Sequence, residues 1–94
     1  MREESPVETR IRSELREYIV VTWLSGDGRG LADDTDLQQA GILDSFSTMA
    51  LIAHLEQAFQ VQLEPADVTA ETFRSLDSIA RLILDRFPTR TLEK

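Results

Sequence analysis

Gly41-Ile42-Leu43-Asp44-Ser45-Phe46 reads as a tight turn that runs into the first turn of an apolar-periodic stretch. Asp and Ser both favour the N-cap position, because their short side chains accept hydrogen bonds from the free N–H groups of a helix start. The pattern predicts a helix that begins at Asp44 or Ser45 and runs to about Gln60. Met49, Ile52, Leu55 and Phe59 form one stripe on it, widened by Leu51 and Ala53.

Upstream, Val7, Ile11, Leu15, Tyr18 and Ile19, then Val20, Val21, Trp23 and Leu24, give helical spacing over about Val7 to Leu24. The valine-rich end also suits a strand, but no partner strand is visible elsewhere, so one helix is the expectation. Ser25-Gly26-Asp27-Gly28-Arg29-Gly30 stops it. A long loop then reaches Asp44. Leu31, Leu37, Ile42 and Leu43 should pin this loop to the core. A connection of that length in a compact domain is usually functional or a linker.

Downstream, Pro65 suits a first helical position, and a short third helix is expected between Pro65 and Phe73. A fourth helix should start near Ser75, bury Leu76, Ile79, Ala80, Leu82, Ile83 and Phe87, and end at Pro88. The expected fold is all-α: a small four-helix bundle with three longer helices, one short third helix and a long first loop. Residues 1–6 and 89–94 are expected to be flexible ends around a domain at 7–88.

The bulk numbers narrow the function. The chain has 94 residues, net charge -7 and no cysteine. That size suits one modest core. Without cysteine there are no disulfides, thiolate metal sites or cysteine nucleophiles, so any thiol the protein uses comes from a cofactor. An acidic domain is a poor ligand for nucleic acid, whose phosphates need Lys and Arg. Basic protein partners fit better, though acidity also serves solubility alone. No apolar run is long enough to span a membrane, and the expectation is a cytoplasmic monomer.

Catalytic motifs are missing. The single histidine, His54, lies nine positions after Ser45, about 13 Å along a helix axis. A Ser45–His54 dyad within one helix is therefore excluded, and His54 reads as a solvated surface histidine. Gly26 to Gly30 lacks the Gly-Lys-Ser/Thr ending of a phosphate loop. Asp27 and Asp34 both fail as the first residue of an EF-hand, because Arg29 falls on a ligand position in one frame and Gln39 replaces the required glycine in the other. No metal site and no enzyme emerge from these residues.

Ser45 remains. A serine at a helix start sits beside unpaired N–H groups and the positive end of the helix dipole, which favours a phosphodiester there. A plain capping role fits the same residue, and local physics does not separate the two. The wider pattern does. Asp36-Leu37, Gly41 to Phe46, Leu51, Leu55-Glu56 and Phe59, followed by Leu63, Asp67, Phe73, Ser75-Leu76, Ile79 and Ile83, resemble the acyl and peptidyl carrier protein family over about residues 8 to 87.

The resemblance implies that a Mg²⁺-dependent phosphopantetheinyl transferase moves 4′-phosphopantetheine from coenzyme A to Ser45. The arm's thiol would then hold an acyl or aminoacyl group for an adenylating or acyl-transferring loading enzyme and a downstream synthase, transferase or thioesterase. Asp44 would help the transferase engage. Phe46, Met49 and Glu56 would lie on the recognition surface, with a core position as the alternative for Phe46 and Met49.

The face expected to hold Ser47, Ala50, His54 and Gln57 has few acids, unlike fatty-acid synthesis carriers, which crowd acids there. The chain is more similar to discrete peptidyl, aminoacyl or D-alanyl carriers, or to carriers of polyketide-type specialised pathways. The alternatives are a helical adaptor without an arm and a fatty-acid synthesis carrier. Met1 and the short ends suit a free-standing protein over an excised domain.

Overall fold

The computed structural model describes residues 6–86. Three α-helices and one 3-10 turn make up its regular structure: α1 (Pro6–Trp23), α2 (Ser45–Phe59), the 3-10 turn (Pro65–Asp67) and α3 (Leu76–Arg86). No strand occurs among the described residues. Phe87, Pro88 and the expected flexible ends at 1–5 and 89–94 fall outside the described residues, whereas Pro6, expected in the flexible end, is the first residue of α1.

The first helix continues through its valine-rich end, because Ile11, Leu15 and Ile19 form a buried stripe that carries the helical period onward. α1 packs along α3, whose Leu76, Ile79, Ala80, Leu82 and Ile83 are all buried. Leu51, Leu55 and Phe59 bring α2 onto the same core, joined by Leu31, Leu37, Leu43, Val61 and Phe73 from the connections.

The α2 stripe is narrower than its spacing suggests. Met49 is 70% exposed and Ala53 is exposed, while Ile52 is half-buried. Leu51, Leu55 and Phe59, four residues apart, form the single stripe that α2 buries in the shared core.

The expected third helix is a single 3-10 turn. Val68, Thr69 and Thr72 are β-branched and weaken helix propagation. Thr69 and Thr72 also satisfy each other's backbone N–H groups through their hydroxyls, at 2.9 and 3.1 Å, and Thr72 Oγ1 donates to the Asp67 carbonyl. These local bonds compete with a helical ladder. α3 starts one residue past Ser75, where Ser75 and Ser78 exchange reciprocal backbone-to-hydroxyl bonds of 2.9 and 3.1 Å.

The long first loop is held against α1 and against the start of α3. Leu37 N–H donates to the Arg74 carbonyl and Asp77 N–H to the Asp33 carbonyl. Arg16, on α1, donates to the Leu31 carbonyl and to Asp33. The buried Arg12 guanidinium lies near Glu8, Asp33 and Asp77 at 3.3 to 3.6 Å. Leu31, Leu37 and Leu43 are buried as expected, and Ile42 is half-buried.

Candidate functional site

α2 begins with Asp44 as its N-cap and Ser45 as its first helical residue. Leu37 sets the approach: its carbonyl accepts both Ile42 N–H and Leu43 N–H, folding the loop back on itself. Gly41 makes that possible by adopting φ +81°, a left-handed conformation in which a side chain would be strained.

Asp44 Oδ1 accepts from Ser47 N–H at 2.9 Å, and Ser47 Oγ accepts from Asp44 N–H at 2.8 Å. The Ser47 hydroxyl lies 3.0 Å from Asp44 Oδ1 and 3.1 Å from the Ile42 carbonyl, and its one proton serves either acceptor. Ser47 is therefore buried beneath the turn, not on the outer face of α2 where its spacing placed it. The Ser47 backbone N–H, then its hydroxyl, hold the Asp44 carboxyl below the usual carboxylate range, so it is an anion at neutral pH.

Capping is thus performed by Asp44 and Ser47. Ser45 is left exposed, and its hydroxyl makes no hydrogen bond among the described residues. The Asp-x-x-Ser spacing was the sequence signal for this division of labour.

A groove of about 500 Å³ opens beside Ser45, lined by Thr48, Met49 and Ile52 of α2 and by Val68, Thr69 and Phe73 opposite. On the other side of the α2 start a smaller cleft of about 340 Å³ runs past Trp23, Leu24, Ile42 and Phe46. Phe46 is 81% exposed and is therefore not a core residue. Phe46 and Met49 lie three residues apart on one exposed, uncharged face, followed by Ala53 and Gln57.

Glu56 is half-buried, and its carboxylate accepts from Leu63 N–H at 3.0 Å, tying the end of α2 to the next connection. His54 is half-buried rather than solvated, stacked on Tyr18 with ring centroids 3.8 Å apart. Asp33, Asp34 and Asp36 assemble no metal cluster among the described residues.

An exposed, unengaged serine at the first position of a capped helix is a geometry suited to covalent modification by a large enzyme. The family model for the phosphopantetheine attachment site matches residues 11–83. The chain belongs to this family of carrier domains. It is similar to the D-alanyl carrier protein of Lactococcus lactis subsp. cremoris strain MG1363, at 32% identity over 70 residues, 73% of this chain and 89% of that protein. The counterpart from Lactococcus lactis subsp. lactis strain IL1403 is 36% identical over the same shares. Among solved structures, a chain of the crystal structure of an FAD-dependent dehydrogenase superposes with a TM-score of 0.66 at 32% identity, covering 72% of this chain and 96% of that one.

A carrier domain of this family is not a catalyst. Its cofactor is phosphopantetheine, and it depends on a phosphopantetheinyl transferase to acquire it. No helix among the described residues is long and apolar enough to cross a membrane.

Proposed function

We propose that Ser45 is the attachment residue, and that the arm it carries holds an acyl or, better supported, an aminoacyl group as a thioester for presentation to partner enzymes. The observation that carries the assignment is the free Ser45 hydroxyl, set outside the Asp44–Ser47 cap at the start of α2.

The arm fits this position. A phosphodiester on Ser45 would sit at the positive end of α2, and the flanking groove offers the Thr48 hydroxyl and apolar surface from Met49, Ile52 and Phe73. When bound, the arm supplies the thiol that this cysteine-free chain lacks. In the transfer, the Ser45 oxygen forms a bond to the β-phosphorus of coenzyme A. The bond from that phosphorus to the bridging oxygen breaks, releasing adenosine 3′,5′-bisphosphate, and the serine proton passes to a base on the transferase. Asp44 stays anionic beside the reacting hydroxyl, where it can meet a cation of the transferase site.

The similarity to D-alanyl carrier proteins favours an aminoacyl cargo loaded by an adenylating enzyme, in aminoacyl-transfer or nonribosomal-peptide-type metabolism. A polyketide-type pathway would use the same arm. Phe46 and Met49 form the recognition surface for these partners, engaging by apolar contact and shape, because no acid crowds that face. Glu56 contributes by holding the far end of α2 in place.

Intact-protein mass spectrometry tests the reading. Apo protein with coenzyme A, Mg²⁺ and a permissive phosphopantetheinyl transferase should gain one phosphopantetheinyl group, and Ser45→Ala should gain none. Modification of Ser45→Ala would move the site elsewhere. Failure of the wild type with several transferases would favour an adaptor that acts without an arm.

A further inference from the structure

A second surface, on α1, is not used by anything described so far. Glu14, Glu17, Tyr18, Val21 and Thr22 follow one another at steps of three, one, three and one. That spacing puts them on one face of the helix. Ile11, Leu15 and Ile19 take the buried stripe, and of this face only Tyr18 packs against the core, leaving Glu17, Val21 and Thr22 exposed. Together with His54 of α2, these residues line an open cleft of about 390 Å³.

The cleft has a polarity. Its floor is the stacked Tyr18–His54 pair, braced by an edge-on contact between Tyr18 and Trp23 at 5.5 Å. Towards the start of α1 it carries two carboxylates. Glu14 is shared with Arg10 in an exposed pair at 3.1 Å. The Glu17 side chain is exposed and engages no cation among the described residues. Towards the end of α1 lies Val21, 67% exposed. α2 adds no acid of its own, since its only carboxylate, Glu56, is tied to Leu63.

We propose that this α1–α2 cleft is a docking site for a protein segment bearing an arginine or lysine and, about one helical turn away, an aliphatic side chain. The cation would pair with Glu17 and displace part of the Arg10–Glu14 contact, while its stem lies over the aromatic floor. The aliphatic group would cover Val21. Charge complementarity decides the occupant: a second copy of this acidic chain would set carboxylates against carboxylates, whereas a basic segment meets them. The site is separate from the Ser45 end of α2, and it does not depend on Ser45 carrying an arm.

The test is a ¹⁵N NMR titration of the intact chain with a short alanine-based helical peptide carrying one arginine and, one turn later, one leucine. The expected result is saturable shifts centred on Glu17, Tyr18, Val21 and His54. Replacing the peptide's arginine by glutamine, or combining Glu14→Gln with Glu17→Gln, should weaken binding about three- to fivefold, the size expected of partly exposed charge pairs. Val21→Ser should weaken it as well, and Ser45→Ala should leave it unchanged. Shifts centred on Phe46 and Met49, binding indifferent to the glutamine changes, or no saturable binding would each overturn the proposal.

Discussion

Arg86, in the last turn of α3, grips Asp67 at the end of the 3-10 turn through two nitrogens, with Nη2–Oδ1 at 2.6 Å and Nε–Oδ2 at 3.2 Å. The same carboxylate accepts from Glu64 N–H at 2.9 Å, so one buried side chain joins three points of the chain. Arg86 first, then the Glu64 N–H, hold the Asp67 carboxyl below the usual carboxylate range. Protonation therefore opposes folding. This stabilisation is fully present above the ordinary aspartate value of about 4 and is lost as pH falls through it towards the lower folded value. In urea titrations across pH, Asp67→Asn should lower stability most at neutral pH and converge towards the wild type in acid. A gap that widened in acid would contradict the linkage.

The Asp44–Ser47 cap and the neighbouring Ser45 should separate cleanly by mutation. Ser47→Ala removes a buried reciprocal bond and should cost about 1 kcal/mol of stability, within the range measured for caps. Ser45→Ala removes an exposed hydroxyl with no partner and should leave stability within about 0.5 kcal/mol of the wild type. Thermal unfolding beside the mass assay checks both: one variant loses stability, the other loses only the arm.

Phe46→Ser or Met49→Ser should leave the fold intact, because both side chains are largely outside the core. The expected loss is in turnover by the loading enzyme, measured as kcat/KM for the carrier. It should persist at high ionic strength, since neither change removes a charge.

Gly41→Ala should destabilise by about 1 kcal/mol or more, because an alanine must adopt the left-handed conformation that Gly41 holds at φ +81°. Cβ at Gly41 would meet nothing within 4 Å, so the cost is conformational rather than steric crowding by neighbours. Urea unfolding measures it, and a neutral result would mean that the turn can relax.

Leu37 joins the loop to the core on both counts. Its side chain is fully buried, its N–H bonds Arg74, and its carbonyl accepts from Ile42 and Leu43 just before the α2 cap. Leu37→Ala should cost about 2–5 kcal/mol and slow arm transfer to Ser45 by loosening the approach to α2. Hydrogen exchange should show Ile42 and Leu43 N–H losing protection before the centres of the helices.

Local rules are enough to read α1, α2 and α3 from the sequence. Apolar residues at helical spacing mark their buried faces, and Asp44, Ser75 and the glycine run after Leu24 mark starts and stops. The same rules place Ser45 at the start of α2, but its reading as an attachment residue came from the wider resemblance over residues 8 to 87. The extent of the 65–73 helix was not legible in this way. Hydroxyl-to-backbone bonds of Thr69 and Thr72 compete with the helical ladder there, and the balance is set by contacts around Asp67 and Phe73.

Tertiary packing alone decided which apolar residues face out. Met49 and Leu55 look alike in a periodic pattern, but one is exposed and the other buried, because α2 meets the α1–α3 pair along a single narrow seam. It also coupled Asp67 to Arg86 across nineteen residues, and laid Tyr18 on His54. Sequence spacing reports neighbours within one helix, whereas these pairings depend on how separate segments are brought together by burial of the shared core.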